Sequence, residues 1–150
     1  MSGFRSKKGF TIIELLVVIA IIAVLAAIVL VNVTQYINSG KNASIKANLA
    51  SIQTNGSVYF ETNGGNYGID GTTNFCTDNL YNNPATAIAN IGETTTCNVS
   101  ATFTAWCTCS TLKVTSAEPA GSTFCVDSTG NKKLTQTDCT TECPNTGACQ

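Results

Sequence analysis

Residues 7–31 read KKGFTIIELLVVIAIIAVLAAIVLV, and this stretch decides the fold of the N-terminal part of the chain. Seventeen consecutive apolar residues run from Leu15 to Val31. A helix over residues 10–31 would extend about 33 Å at ~1.5 Å per residue, and a hydrocarbon core is about 30 Å thick. The run is rich in β-branched residues but too long for a buried strand, so it predicts a membrane-spanning helix.

One carboxylate, that of Glu14, lies near the start of this apolar stretch. An ionised side chain at the middle of a bilayer costs roughly 2.5 to 3.5 kcal/mol on insertion scales, so an acid in a membrane helix is a candidate functional residue. An isolated acid near the end of such a helix could instead extend to water at the interface. The residues around Glu14 favour the functional interpretation.

This segment resembles the N-terminus of type IV pilins and type II secretion pseudopilins, which are made as prepilins. The resemblance rests on a short basic leader ending in Gly9, on Phe10 and Thr11, on Glu14 as the fifth residue after the leader, and on the uninterrupted apolar run. It implies that residues 1–9 are a cleaved leader and that the new amino group of Phe10 is methylated by the same peptidase.

The resemblance also implies how the protein assembles and with which partners. In that family, the glutamate at the position of Glu14 is taken to pair with the N-terminal amine of an adjacent subunit during filament growth. The expected partners are therefore identical or related pilin subunits, a prepilin peptidase and methyltransferase, and an assembly machinery in the inner membrane.

The charges before the apolar run predict the orientation in the membrane. Arg5, Lys7 and Lys8 have no compensating acid nearby, so the positive-inside rule keeps the N-terminus in the cytoplasm. We expect a single-pass protein with its head outside the cytoplasm and, after assembly, in an extracellular pilus or a periplasmic pseudopilus. A cleaved secretory signal is disfavoured because the run continues past Ala26 and Ala27. A plain signal anchor remains as the alternative.

Residues 32–60 are predicted to continue the helix as an amphipathic segment that packs on the head. Gly40 and many Asn, Ser and Thr residues lower the intrinsic helicity, so packing must hold this part. The helix should end at about 59–62, before the chain-reversal sequence at 63–66, Asn-Gly-Gly-Asn. Three apolar residues are spaced by four and three, as along one helical stripe: Ile45, Leu49 and Ile52.

The remaining residues, 61–150, predict a small head of turns and short strands. Thr, Val and aromatic residues are concentrated at 102–115 and 122–127, and a turn at 128–131 leads into a short segment at 132–134. This spacing of turns predicts a small antiparallel sheet. The predicted fold class is therefore α+β, with a long N-terminal helix packed on a disulfide-rich β-sheet head.

The cysteines predict disulfides, because all of them lie in this small head and the head is expected in an oxidising compartment. Zinc is the less favoured alternative, since the spacings are not Cys-x2-Cys and the chain has no histidine. Cys107 and Cys109 should face the same side of one strand and take separate partners, with Cys125 a plausible cross-strand partner. The eight candidates are Cys76, Cys97, Cys107, Cys109, Cys125, Cys139, Cys143 and Cys149.

Charge and composition disfavour two classes of function. Beyond residue 60 the chain has three lysines against eight acids, which is not the basic surface that nucleic acids require. The absence of histidine removes imidazole-based catalysis, and we predict no catalytic residue, metal or cofactor. The sequence predicts a structural subunit that polymerises, and the alternative is a monomeric membrane-anchored ectodomain with a binding function.

Overall fold

The structure is a computed structural model that describes residues 9–150, so the basic leader residues 1–8 lie outside the described residues. Contacts divide the chain into two compact units, the first ending at Tyr36 and the second comprising Ile37–Gln150. One helix, α1 (Ile12–Thr62), contributes to both units. It starts two residues after the predicted start at residue 10.

In the first unit, the apolar side chains of α1 are exposed. The exposed fraction is 79% for Ile12 and 69% for Leu30, and the most apolar stretch of the helix has a mean hydropathy of 3.3. By its length and composition this helix could cross a membrane. The predicted long apolar helix is therefore present.

The C-terminal end of α1 shows the predicted chain reversal. After Thr62 the chain turns at Gly64 and Gly65, which have φ angles of 65° and 82°. Glycine adopts this left-handed conformation without the steric cost that a Cβ atom would impose. The Gly65 N–H donates to the Phe60 carbonyl at 2.9 Å, which satisfies one of the free carbonyl groups at the helix end.

The second unit contains one four-stranded antiparallel sheet with the strand order β1-β2-β3-β4. The predicted α+β class is confirmed, and β2 and β3 lie inside the two segments predicted to form strands. The first strand was not predicted, because its sequence Thr-Thr-Cys-Asn-Val lacks an apolar alternation. The strands are β1 (Thr95–Val99), β2 (Trp106–Thr111), β3 (Thr123–Asp127) and β4 (Lys132–Thr135).

The prediction of turns and strands alone was wrong for two parts of the head, which form a one-turn helix at Cys139–Glu142 and helix α2 (Asn79–Ala89). Asp78 caps this helix by accepting from the Leu80 N–H at 2.8 Å. Pro84 lies inside it and has no N–H to donate to the Leu80 carbonyl, four residues earlier. The side-chain amide of Asn55 on α1 donates to that carbonyl instead, at 2.6 Å. A contact from a distant segment therefore supports a helix that the local sequence disfavours.

The predicted stripe on α1 is confirmed as the centre of the core. All three stripe residues, Ile45, Leu49 and Ile52, are fully buried in one cluster with side chains of the sheet. Burying an aliphatic side chain of this size contributes about 1.5 to 3 kcal/mol. On the sheet side, Trp106 is also fully buried, and its ring centroid lies 4.7 Å from that of Phe75.

Polar contacts hold α1 to the loop between β2 and β3. The side chain of Asn42 is almost fully buried and pairs with the backbone of Lys113, donating to its carbonyl at 2.8 Å and accepting from its N–H at 2.7 Å. One turn further along the helix, Lys46 forms an ion pair with Glu118 at 2.7 Å. The hydrogen bond from Lys46 is the main reason that the pKa of Glu118 lies below its usual range.

Two glycines of α1 give a matched test of this packing. A Cβ atom on Gly56 would lie 2.6 Å from Cζ2 of Trp106, whereas one on Gly40 would meet nothing within 4 Å. Gly56→Ala should destabilise the head by about 1 to 3 kcal/mol through overpacking. Gly40→Ala should stabilise it by up to about 1 kcal/mol, because alanine favours the helix. Unfolding of the full chain in detergent with intact disulfides measures both, and changes of the same sign would contradict this packing.

Candidate functional site

The candidate site for processing and assembly lies where α1 begins. Gly9 and Phe10 precede the helix and are exposed, and the exposed fraction of Phe10 is 84%. A Cβ atom on Gly9 would have no neighbour within 4 Å. Among the described residues, both partners of this peptide bond are therefore exposed.

Thr11 and Glu14 form a reciprocal cap at the first turn of α1. The Thr11 N–H donates to Oε2 of Glu14 at 2.8 Å, and the Thr11 hydroxyl donates to the same oxygen at 2.7 Å. In return, the Glu14 N–H donates to the Thr11 hydroxyl oxygen at 3.3 Å. This is a capping box, which satisfies backbone donors that have no partner within the helix. The carboxylate also lies at the positive end of the helix dipole.

Sequence reasoning identified Glu14 but missed this role of Thr11. The available signal was the pattern Thr-x-x-Glu immediately before an apolar run, which is typical of a helix start. The cap uses only Oε2 of Glu14, and Oε1 accepts no hydrogen bond from any described residue. One carboxylate can therefore cap its own helix and still offer an oxygen to an outside cation.

Beyond the cap, the exposed apolar surface of α1 contains a shallow depression around Ala20. Its volume is about 370 Å³, and its lining residues are spaced as one helical stripe. Ala20 has the smallest side chain among the lining residues, and small residues let helices approach one another closely in membranes. The residues that line it are Val17, Ala20, Ile21, Val24 and Leu25.

In the head, all eight predicted cysteines form disulfides, so the disulfide-rich head is confirmed. Cys107 and Cys109 of β2 face the same side of the sheet and take separate partners, as predicted. Neither partner is Cys125, however, and that prediction was wrong although Cys109 and Cys125 are directly opposite in the sheet. The pairs are Cys76–Cys97, Cys107–Cys143, Cys109–Cys139 and Cys125–Cys149.

The C-terminal segment explains this pairing. It contains a one-turn helix, α3 (Cys139–Glu142), and reaches β2 through the disulfides of Cys139 and Cys143. Four residues of helix rise about 6 Å, and two residues of strand extend about 6.6 Å. Cys139 begins this turn and Cys143 directly follows it, so their spacing matches that of Cys107 and Cys109, two apart in the strand. The sequence alone does not show which segment covers this face of the sheet.

A buried carboxylate fastens the end of this segment. Asp127 of β3 is fully buried, and its Oδ2 accepts from the Cys149 N–H at 3.1 Å and from the Asn131 side chain at 2.9 Å. Its Oδ1 accepts from the Thr129 N–H at 2.9 Å. Burial alone would raise the pKa of Asp127, but hydrogen bonds from the Thr129 hydroxyl, the Asn131 side chain and the backbone N–H groups of Cys149 and Asn131 outweigh it and hold the pKa below its usual value.

Among residues 9–150, no group of three or more His, Cys, Asp or Glu side chains is placed to hold a metal ion. The carboxylates described above have structural partners: Asp127 holds a turn and the C-terminal segment, and Glu118 pairs with Lys46. At the N-terminal end of α1, Glu14 can present a charge to another molecule. The exposed side chains of the helix that follow it can present an apolar surface.

One of the comparisons with known proteins concerns this same N-terminal region. Residues 4–30 match the family described as the prokaryotic N-terminal methylation motif. A type IV major alpha-pilin from Moraxella bovis is 45% identical over 50 residues, which are 33% of this chain and 31% of that relative. The chain therefore matches about a third of the relative's length. No solved structure matches the chain.

Asp127 makes a prediction about the stability of the head at low pH. Its pKa is lower in the folded than in the unfolded protein, so its contribution to stability is present above the unfolded pKa of about 3.9 and is lost as the pH falls through the folded value. Asp127→Asn should cost about 1 to 3 kcal/mol at pH 7 and should flatten the pH dependence below about pH 5.

Unfolding of the full chain between pH 7 and pH 2 measures this effect. Asp78→Asn is the matched control, because asparagine caps a helix about as well as aspartate does. A variant at position 127 with the wild-type stability and pH profile would contradict the role assigned to this carboxylate.

Proposed function

The match to the methylation motif and the similarity to a pilin support a type IV pilin-like family, and on that premise we propose that this protein is the structural subunit of a type IV pilus or a type II secretion pseudopilus. Residues 1–9 are the leader, removed by cleavage after Gly9, and Phe10 is then N-methylated. Residues 10–31 form the membrane span and filament core, 32–60 the amphipathic half of the helix, and 61–150 the head. The observation that carries the proposal is that the methylation motif coincides with a helix whose apolar side chains are exposed.

The exposed apolar surface requires an environment other than water. The large apolar side chains from Ile12 to Leu30 have exposed fractions between 46% and 79%, and such a continuous surface marks a contact with lipid or protein. Before assembly, lipid covers it while the head lies outside the cytoplasm. In the filament, the same surface packs against the helices of neighbouring subunits, and the depression at Ala20 receives a side chain from one of them.

Glu14 sets the position of each subunit helix relative to its neighbours in this packing. Hydrolysis of the bond after Gly9 leaves a carboxylate on Gly9 and a free amine on Phe10. Methylation of that amine replaces one N–H and keeps the positive charge at neutral pH. In a medium of low dielectric constant, an amine and a carboxylate attract strongly, and an unpaired charge is costly. Oε1 of Glu14 is the oxygen available for the amine of a neighbouring subunit, while Oε2 stays in the cap with Thr11.

The partners that the proposed subunit requires distinguish it from the alternative, a monomeric ectodomain. The subunit requires a prepilin peptidase and methyltransferase, the inner membrane assembly machinery, and other pilin subunits. A monomeric membrane-anchored ectodomain would require none of them and would keep its leader. The likeness to pilins also suggests a structural role rather than a catalytic one.

One prediction of this proposal concerns the mature N-terminus. Protein purified from its native membrane or filament should begin at Phe10 and carry one methyl group on the α-amine. Mass spectrometry of the intact protein and of its N-terminal peptide measures both. A functional form that still carries Met1 to Gly9 would overturn the proposal in favour of the anchored ectodomain.

Another prediction separates the two roles of Glu14, the helix cap and the proposed charge pairing. Glu14→Gln keeps an acceptor for the cap, because glutamine also occupies this position in capping boxes, but it removes the charge. Thr11→Ala weakens the cap and keeps the charge. If charge pairing sets the register, Glu14→Gln and Glu14→Ala should both be processed but should form few or no filaments. Thr11→Ala should form more filaments than either Glu14 variant.

Electron microscopy of filaments, together with the cleaved fraction on immunoblots, measures assembly and processing separately. Normal filament yield from Glu14→Gln would refute the charge-pairing role and leave Glu14 as a helix cap only.

A further inference from the structure

A surface cleft in the head lies beside β1, remote in sequence from the processing site. Its volume is about 370 Å³, which is within the range of small-molecule sites. One wall is the segment around Asn74 and Thr77, and the other is the end of β1 with the turn that follows it. The disulfide Cys76–Cys97 joins the two walls, so their separation is fixed covalently.

Phe103, which lines this cleft, has an unusual backbone conformation. Its φ angle is 56°, and no other non-glycine residue in the described part of the chain has a positive φ. For a bulky residue this conformation costs free energy, and such outliers are concentrated at functional sites. The backbone is held by two hydrogen bonds, from the Phe103 N–H to the Ser100 carbonyl at 2.9 Å and from the Tyr67 N–H to the Phe103 carbonyl at 2.8 Å.

Gly68 fixes the position of the Phe103 side chain. A Cβ atom on Gly68 would lie 2.6 Å from Cδ1 of Phe103 and 2.8 Å from Cβ of Asn74. The absence of a side chain at position 68 therefore lets the aromatic ring and the Asn74 wall approach the same backbone. The ring forms part of the cleft wall, and only part of it is covered.

The cleft also offers hydrogen-bonding groups. β1 is the first strand of the sheet, and the Ser100 N–H donates to the Ala105 carbonyl on the β2 side at 2.9 Å. In an antiparallel pair this bonding alternates, so the backbone groups of Val99 and Cys97 point away from β2, toward the side of β1 without a neighbouring strand. The Asn98 side chain donates to the Cys143 carbonyl at 2.6 Å, and its own oxygen accepts from no described residue.

None of the described residues that line the cleft is ionisable. Its lining consists of amides, hydroxyls, backbone groups, a disulfide and one aromatic ring, a combination that suits a neutral ligand with many hydroxyl groups and apolar C–H faces. The electron-rich face of an aromatic ring attracts such weakly positive C–H groups. We propose that this cleft binds a neutral saccharide, with a sugar ring against Phe103 and its hydroxyls bonded to Asn98 and the backbone of Val99.

An extended peptide added to the edge of β1 fits the geometry less well. Strand addition requires several successive free backbone groups along the edge. Here the disulfide at Cys97 brings the opposite wall against the strand, and the chain turns away after Ser100. The remaining edge is too short to align a strand.

Saturation-transfer NMR on the full chain tests the proposal. The probes are methyl glycosides of neutral hexoses and N-acetylhexosamines and neutral disaccharides, each at millimolar concentration. The protein is held in a phosphocholine detergent, because a glycoside detergent would compete. At least one probe should receive saturation on its ring C–H protons, and Phe103→Gly should weaken its affinity by about tenfold or more, equivalent to ~1.4 kcal/mol.

Glycine is chosen because it adopts a positive φ without strain, so Phe103→Gly should fold with the same four disulfides. Ile69→Ala is the matched control, since it removes an exposed apolar side chain from the same region without lining the cleft, and its affinity should be unchanged. No signal from any neutral sugar, a signal insensitive to Phe103→Gly, or Phe103-dependent binding of only acidic sugars or an extended peptide would overturn the proposal.

Discussion

Burial of one stripe of α1 against the sheet is the interaction on which the head depends. Three fully buried aliphatic residues and Trp106 meet there, and Gly56 allows the helix backbone to approach the indole ring. The opposite face of the sheet has almost no apolar side chains other than cystine. Three disulfides fasten the C-terminal segment over that face, and each contributes about 2 to 4 kcal/mol in typical cases. A small head thus gains a second stabilised face that its apolar content alone would not supply.

The same helix meets two different requirements along its length. From residue 37 onward it follows the rules of a globular protein, with a buried stripe and a polar opposite face. Between Leu15 and Leu30 it is apolar on every side, and the structure leaves that surface exposed. An all-apolar helix suits lipid and a bundle of like helices equally, since neither offers water to its surface. This property is the physical basis for the proposed passage from membrane to filament.

In the proposed filament, Glu14 would serve folding and assembly together. With one oxygen it completes a cap with Thr11, and the other remains available. Local hydrogen bonds also limit the rotamers of the carboxylate, so less conformational entropy is lost when a neighbouring amine binds. The cap and the proposed ion pair are therefore compatible.

The sequence by itself determined the features that rest on local patterns. The apolar run, the stripe of Ile45, Leu49 and Ile52, the glycine turn after α1 and the strands β2 and β3 all follow from periodicity and turn residues within a few positions. The methylation motif is equally local, and the capping box could have been identified in the same way. Each of these signals is complete within one short segment, so it needs no knowledge of the rest of the chain.

Only the tertiary structure decided the features that depend on distant segments. Helix α2 tolerates Pro84 because Asn55, on another helix, satisfies the carbonyl that proline leaves free. Cys109 bonds to Cys139 rather than to the cysteine opposite it, because a helical turn 30 residues away matches the strand spacing. At the cleft, the Tyr67 N–H donates to the Phe103 carbonyl, and Gly68 leaves room for the Phe103 ring. In each case the deciding energy comes from a contact between residues far apart in the chain, and no local pattern encodes it.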